Sequence, residues 1–122
     1  MIILYNMNFC GKFKGCVRET IVNCKGVSET EYKAILNIKS VNCSQKTAYL
    51  INVIDAEEES EVLAFMEKDN KCILRSILDG KTNGITSTYY EGKYLIHQIS
   101  SVKINKHGNK EYIVKYYKLK QC

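Results

Sequence analysis

Segments of alternating apolar and polar residues, separated by short polar turns, are the feature that most constrains how this chain folds. Residues 31–43 set Tyr32, Ala34 and Leu36 against Lys33, which is the period of two expected of a half-buried strand. The chain contains no proline, so the breaks between such segments fall at Gly, Asn, Asp and Ser. The pattern therefore predicts a mainly β protein.

Several further segments have β character. Residues 47–55 and 60–66 are predicted to form a hairpin around an acidic connection, and residues 93–104 and 111–119 to form a second hairpin around a basic loop. Residues 12–24 can add another strand, although glycines interrupt that stretch. The strands therefore come in antiparallel pairs.

Residues 68–78 follow a different pattern. Cys72, Ile73 and Ile77 recur at helical spacing, and Asp79-Gly80 supplies a left-handed stop. We therefore expect one short helix between the third and fourth strands.

From residue 31 the predicted order is three strands, a helix and two strands, which is the order of a five-stranded Greek-key barrel of the OB type. A generic α+β sheet and a β-sandwich are the alternatives. A length of 122 residues is one domain's worth of chain. We expect residues 31–122 to form the barrel and residues 1–30 to be an N-terminal extension or an additional strand of the same domain.

Positive charge is concentrated in the second half of the chain. Residues 1–61 have seven basic and eight acidic side chains, whereas residues 62–122 have 11 and five. Residues 92–122 alone contain seven lysines and a single carboxylate, Glu111. A basic segment that is also patterned to fold favours a polyanion-binding face, and a patch without a ligand is the alternative.

Three stretches match different parts of one known family pattern: residues 53–65 as a hairpin, residues 90–96 as Gly92 before an aromatic-led strand, and residues 110–116 as a final strand. Together they resemble the single-stranded-DNA-binding OB-fold domains of the replication protein A and telomere-end-binding type. The resemblance covers about residues 31–120. It implies a module that binds single-stranded nucleic acid, DNA in preference to RNA, in a basic groove that contains tyrosines.

Such a module needs cations that follow the phosphates and rings on which bases stack. The last hairpin interleaves both, and the resemblance adds Phe65 and Tyr49 as stacking positions. Alternatively, some of these aromatic residues belong to the core and do not stack on bases. Alternation in residues 111–119 places Tyr112 and Tyr116 on one face of the strand and Tyr117 on the other, so at least one of the two sets is expected to face the core. The expected nucleic-acid-binding residues are Lys103, Lys106, Lys110, Lys115, Lys118, Tyr112, Tyr116, Phe65 and Tyr49.

Motifs of enzymes and of cofactor sites are absent from the sequence: it has no G-x-S-x-G, H-E-x-x-H, P-loop or G-x-G-x-x-G. We expect no catalytic activity, no cofactor and no metal. The six cysteines lack a C-x-x-C knuckle, and free thiols are the favoured interpretation. A zinc site among Cys10, Cys16 and Cys24, or a disulfide, is the alternative.

The expected partner is single-stranded DNA or RNA. The alternative is a small viral or phage accessory protein that acts as a protein–protein interaction module or inhibits a host factor. Small size and the lack of catalytic residues are as typical of such a protein as of a nucleic-acid-binding module. No apolar run approaches the roughly 20 residues of a membrane-spanning helix, and residues 1–5 lack the features of a secretory signal. We expect an intracellular protein, cytoplasmic or nuclear, that is neither secreted nor membrane-bound.

Overall fold

The fold is an eight-stranded antiparallel β-barrel. A computed structural model describes residues 8–42, 47–78 and 83–122 of the chain. Each strand pairs with the next along the sequence, and the last strand pairs with the first, which closes the barrel. The strands are β1 Gly11–Asn23, β2 Gly26–Ser40, β3 Ala48–Asp55, β4 Glu59–Met66, β5 Ile73–Leu78, β6 Asn83–Glu91, β7 Tyr94–Ile104 and β8 Lys110–Gln121.

The predicted mainly β class and a closed barrel are confirmed, but the predicted strand number and topology are wrong. The barrel has eight strands in sequence order, whereas five strands in Greek-key order were expected. No helix occurs within residues 8–42, 47–78 and 83–122. Both differences come from two segments in the middle of the chain whose local pattern was ambiguous.

Residues 68–78, expected as a helix, form a turn followed by β5. Ile73 and Ile77 are four residues apart, and this spacing places two side chains on one face of a strand as well as of a helix. The stop at residues 79–80 lies outside the described residues. Residues 83–91, for which no strand was predicted, form β6, whose inward threonines at 86 and 88 have buried hydrogen-bond partners.

The first strand belongs to the same barrel as the rest of the chain. β1 pairs with β2 from Gly11 to Asn23 and with β8 from Phe13 to Val22. A domain boundary at residue 30 would therefore fall inside β2.

The interior is divided into an apolar half and a polar half. Alternate residues of every strand point inward, and those near the start of β1 and the end of β8 pack into one core. Phe9 plugs this end: its ring stacks on Tyr90 at 5.6 Å between centroids and meets Tyr49 edge-on at 5.8 Å. The core comprises Phe9, Phe13, Val17, Ala34, Leu36, Ile38, Tyr49, Ile51, Val53, Ala64, Leu74, Leu95, Tyr117 and Leu119.

Gly15 is required where β1 meets β8. A Cβ atom at this position would collide with the backbone carbonyl oxygen of Lys118. Glycine inside a strand weakens it but allows a neighbouring backbone to approach closely. The glycine thus lets the first and last strands close the barrel at this point.

Candidate functional site

The outer surface where β1 meets β8 has a cluster of cations around two tyrosines. Because β1 and β8 run antiparallel, Lys14 is the cross-strand partner of Lys120, and Arg18 that of Tyr116. With Lys118 they surround an open depression of about 380 Å³. We define the basic face as Lys14, Arg18, Lys118 and Lys120 together with Tyr94 and Tyr116.

Tyr94, the first residue of β7, lies at the centre of this charge. The Nζ atom of Lys118 lies 4.5 Å from the centroid of its ring, and those of Lys93 and Lys120 lie 5.6 and 5.8 Å away. Ammonium groups are attracted to the face of an aromatic ring. The ring therefore holds three lysines near one another although their charges repel.

The cations of the basic face are exposed and outnumber the acidic groups around them. Among the described residues, Glu31, the cross-strand neighbour of Arg18, is the carboxylate that lines the depression, against four cations. None of the four forms an ion pair with any carboxylate in the described part of the chain. Exposed charges of one sign produce a potential that attracts a ligand of the opposite sign.

Of the predicted binding residues, Lys118 and Tyr116 lie on the basic face. Lys106 and Lys110 are exposed, but they lie at the opposite end of the last hairpin; Lys110 is ten residues from Lys120, or about 33 Å along a strand. Tyr112, two residues after Lys110 on β8, lies on the outer surface and is 51% exposed.

Two predicted residues are buried and cannot contact a polynucleotide on the surface. Tyr49 is only 4% exposed because its ring packs against the Phe9 plug. Lys115 is 6% exposed because it follows the inward alternation of β8, where carboxylates surround it. Lys103 is exposed, but it lines the mouth of the barrel and not the basic face.

Phe65 lies on β4, which is four strands away from β8 in the barrel order. It is 54% exposed and contributes to an apolar groove on the outer surface, together with Leu63, Ile77 and Ile85. Only two residue pairs join β4 to β5, and no further pair connects them in the described residues. The groove therefore follows a split in the barrel wall, far from the basic face.

Lys14, Arg18 and Tyr94 were not predicted as binding residues. Lys14 and Arg18 alternate with Gly15 and Val17 on β1, and this local pattern does mark them as outward-facing. What joins them to Lys118 is the pairing of β1 with β8, and the two strands are about 100 residues apart in the sequence.

Inside the barrel, Lys115 is the centre of a charged cluster. Its Nζ atom lies 3.4 Å from Asp55 Oδ2 and 3.7 Å from Glu19 Oε2, and the Glu57 and Glu58 carboxylates approach it from the mouth. Tyr117 Oη donates a hydrogen bond to Asp55 Oδ2 at 2.8 Å. The carboxylates of the cluster stabilise the Lys115 ammonium group, whose removal from water would otherwise be strongly unfavourable.

The pKa values within this cluster reflect mutual stabilisation. Burial opposes ionisation of Asp55, but hydrogen bonds from the backbone N–H groups of Glu57 and Glu58 and from the Tyr117 hydroxyl outweigh it and lower the pKa of Asp55. Burial would likewise lower the pKa of Lys115, yet the Asp55 carboxylate and its neighbours raise it. The pair is therefore ionised in the folded protein at neutral pH.

The polar half of the interior contains a cavity of about 370 Å³, which we name the lumen cavity. His97 lines it and is fully buried; its Nδ1 lies 2.7 Å from Thr88 Oγ1, while Nε2 has no hydrogen-bond partner among the residues that the structure describes. Burial lowers the pKa of His97 from 6.5 to about 4, so the ring is neutral. The remaining lining residues are Glu19, Ile21, Val53, Glu57, Glu58, Ser60, Glu61, Val62, Leu78, Thr86, Ile99, Ser101, Lys103, Ile113 and Lys115.

The cysteines of the described chain are free thiols: Cys10, Cys16, Cys24, Cys72 and Cys122. Cys43 lies outside the described residues. Within the described ranges, no group of three or more His, Cys, Asp and Glu side chains is arranged to hold a metal ion. No helix of the described residues is long and apolar enough to cross a membrane.

No protein-family model, curated protein or solved structure matches this chain significantly. The geometry of the basic face and of the lumen cavity is therefore the basis for assigning a function.

Proposed function

We propose that the protein binds single-stranded nucleic acid on the basic face. The observation that supports this proposal is the convergence of Lys14, Arg18, Lys118 and Lys120, none of them in an ion pair with a described carboxylate, around the ring of Tyr94. Cations at this spacing suit a chain of phosphates, which needs neutralisation at successive positions.

The two tyrosines favour a single strand over a duplex. Tyr94 and Tyr116 are partly exposed within the depression. Unpaired bases have free faces that stack on aromatic rings, whereas the bases of a duplex are already stacked on one another. Stacking depends little on base identity, so we expect the protein to show little preference for base sequence. The proposed ligand is DNA in preference to RNA.

The test is fluorescence anisotropy of labelled oligo(dT) titrated with the protein at about 50 mM and about 200 mM salt. Four phosphate contacts would give a slope of log affinity against log salt of about −2.8, at roughly −0.7 per neutralised phosphate. A wild-type protein that shows no salt-dependent binding at micromolar concentration would refute the proposal.

A double variant locates the site. Lys118→Ala with Lys120→Ala is expected to make the salt slope shallower by about 1.4, since two phosphate contacts are lost. The matched control is Lys68→Ala with Lys71→Ala, which removes the same charge from exposed positions before β5. Equal loss of affinity in the two variants would mean that net charge alone governs binding, contrary to a defined site.

The apolar groove favours a second candidate function, a protein–protein interaction module. Ile77 is 81% exposed beside Phe65 and Ile85, and contiguous exposed apolar side chains mark protein interaction sites. Phe65→Ser with Ile77→Ser should then weaken a nuclease-resistant association with a purified partner and leave oligo(dT) affinity unchanged. Loss of oligo(dT) affinity in this variant would contradict the separation of the two surfaces.

A further inference from the structure

The lumen cavity lies away from the basic face and has no part in the function proposed above. Its lining is mixed: charged and polar side chains share it with an aliphatic set that includes Ile21, Val53, Val62, Ile99 and Ile113. An eight-stranded barrel is wide enough inside to be filled by side chains or to hold one small ligand. Here the apolar half is filled by the core and the polar half retains a volume of about 370 Å³, within the range of small-molecule sites.

Among the described residues that line this cavity, His97 has a buried side-chain atom without a hydrogen-bond partner. The side chain is fully buried, and Nε2 makes no hydrogen bond to any described residue. Buried polar atoms are nearly always paired, so an unpaired ring nitrogen on a cavity wall indicates that something in the cavity pairs with it.

The hydrogen bond on the other side of the ring determines what that partner must offer. The hydrogen bond between Thr88 Oγ1 and His97 Nδ1 fits either tautomer of the ring, and we assign the hydroxyl as the donor because it has no other acceptor among the described residues. A neutral imidazole then has its own proton on Nε2. His97 therefore contributes a buried, unpaired N–H donor to the lining of the cavity, and the group that satisfies such a donor is an acceptor oxygen.

The charges of the lining exclude an anionic ligand. Glu19, Glu57, Glu58 and Glu61 line the cavity against two cations, Lys103 and Lys115. The ammonium group of Lys115 is already paired with Asp55 and Glu19. The net negative charge of the lining would repel a carboxylate or sulfonate, whereas it would not repel an uncharged molecule.

The lumen cavity and the apolar groove lie on the two sides of the same part of the barrel wall. Thr86 of β6 lines both of them. On the outer side, the groove exposes Phe65 and Ile77 to solvent.

From this geometry we propose that the lumen cavity binds a small, uncharged, largely apolar molecule whose carbonyl-type oxygen accepts a hydrogen bond from His97 Nε2. The apolar body contacts the aliphatic walls, and the acidic mouth selects against anions.

The probe for the test is 6-propionyl-2-(dimethylamino)naphthalene, an uncharged fluorescent ketone, titrated with the 122-residue protein. We expect saturable binding with blue-shifted emission, because the fluorophore leaves water for an apolar site. The anionic 1-anilinonaphthalene-8-sulfonate should displace the bound ketone at least about tenfold more weakly than an uncharged naphthalene does, because it meets like charge in the cavity. Equal or stronger displacement by the sulfonate would overturn the assigned ligand class, whereas binding of the sulfonate to the basic face would not displace the ketone.

Substitutions inside and outside the barrel locate the bound ketone. Val62→Phe fills the cavity and should lower affinity by at least about tenfold; Val22→Phe, which adds the same ring on the outer face of β1, should leave it unchanged. If Val62→Phe fails to fold, Ser101→Leu fills the same space from β7. His97→Leu should weaken the ketone about fivefold without weakening 2-propylnaphthalene, measured by displacement of the fluorescent ketone.

Wild-type protein that does not bind the ketone would show that the cavity holds water only. Undiminished binding to the folded cavity-filling variants would place the probe outside the lumen, and either result overturns the proposal. Oligo(dT) affinity measured on the same variants keeps the two proposals separate, because filling the lumen should not change the basic face.

Discussion

Acidification is expected to destabilise the barrel because His97 is buried as a neutral ring. Burial lowers the pKa of His97 from 6.5 to about 4. Between these values the unfolded chain binds a proton that the folded protein does not bind, so the free energy of unfolding falls as the pH falls. Across the whole interval between the two pKa values, the free energy of unfolding falls by about 3 kcal/mol, and about 2 kcal/mol of this is already lost at pH 5.

Other groups of the interior affect this window little. The pKa of Asp55 is lowered below its ordinary value of 3.8, so the stability that it contributes is present above that value and is lost at lower pH than the His97 contribution. The pKa of Glu57 is raised, chiefly by burial and by Glu19. Its contribution has the opposite sign, being present at low pH and lost as the pH rises, but its side chain is 53% exposed and the effect is correspondingly small.

The measurement is urea unfolding followed by far-UV circular dichroism at constant ionic strength, from about pH 7.5 to about pH 4.5. His97→Gln removes the titration while leaving an acceptor for Thr88, and it should flatten the pH dependence. His107→Gln, at an exposed loop position, should retain the wild-type dependence. If His97→Gln loses as much stability as the wild type between pH 7.5 and pH 5, the assignment of the pH effect to His97 is wrong.

Three further outcomes follow from single contacts. Asp55→Ala removes the partner of Lys115 and Tyr117 and should lower the free energy of urea unfolding by about 3–5 kcal/mol; a loss below about 1 kcal/mol would show that the cluster is not tightly packed. Gly15→Ala forces a Cβ atom against the β8 backbone and should cost about 1–3 kcal/mol or more in thermal unfolding, and an unchanged melting temperature would argue against the close approach. Tyr94→Leu should weaken oligo(dT) binding by about 1–3 kcal/mol without altering the salt slope, and an altered slope would mean that the ring acts only by positioning lysines.

Part of the candidate site could be predicted from the sequence because it depends on local alternation. The period of two in residues 111–119 separates Tyr112 and Tyr116 from Tyr117, and the structure places the first two outside and the third in the core. The same alternation applies to Lys115, which shares a face with Tyr117 and lies inside. It was expected at the surface because a lysine is rarely buried without paired carboxylates.

By itself the sequence determined the β character of most segments, the hairpin around the acidic connection and the concentration of positive charge in its second half. Only the tertiary structure decided that β1 pairs with β8, which brings Lys14 and Arg18 to Lys118, and that Asp55 meets Lys115 from across the barrel. Local periodicity shows which way a side chain points, but not which distant strand will lie beside it. That choice depends on closing the barrel, and so on the fit of all eight strands at once.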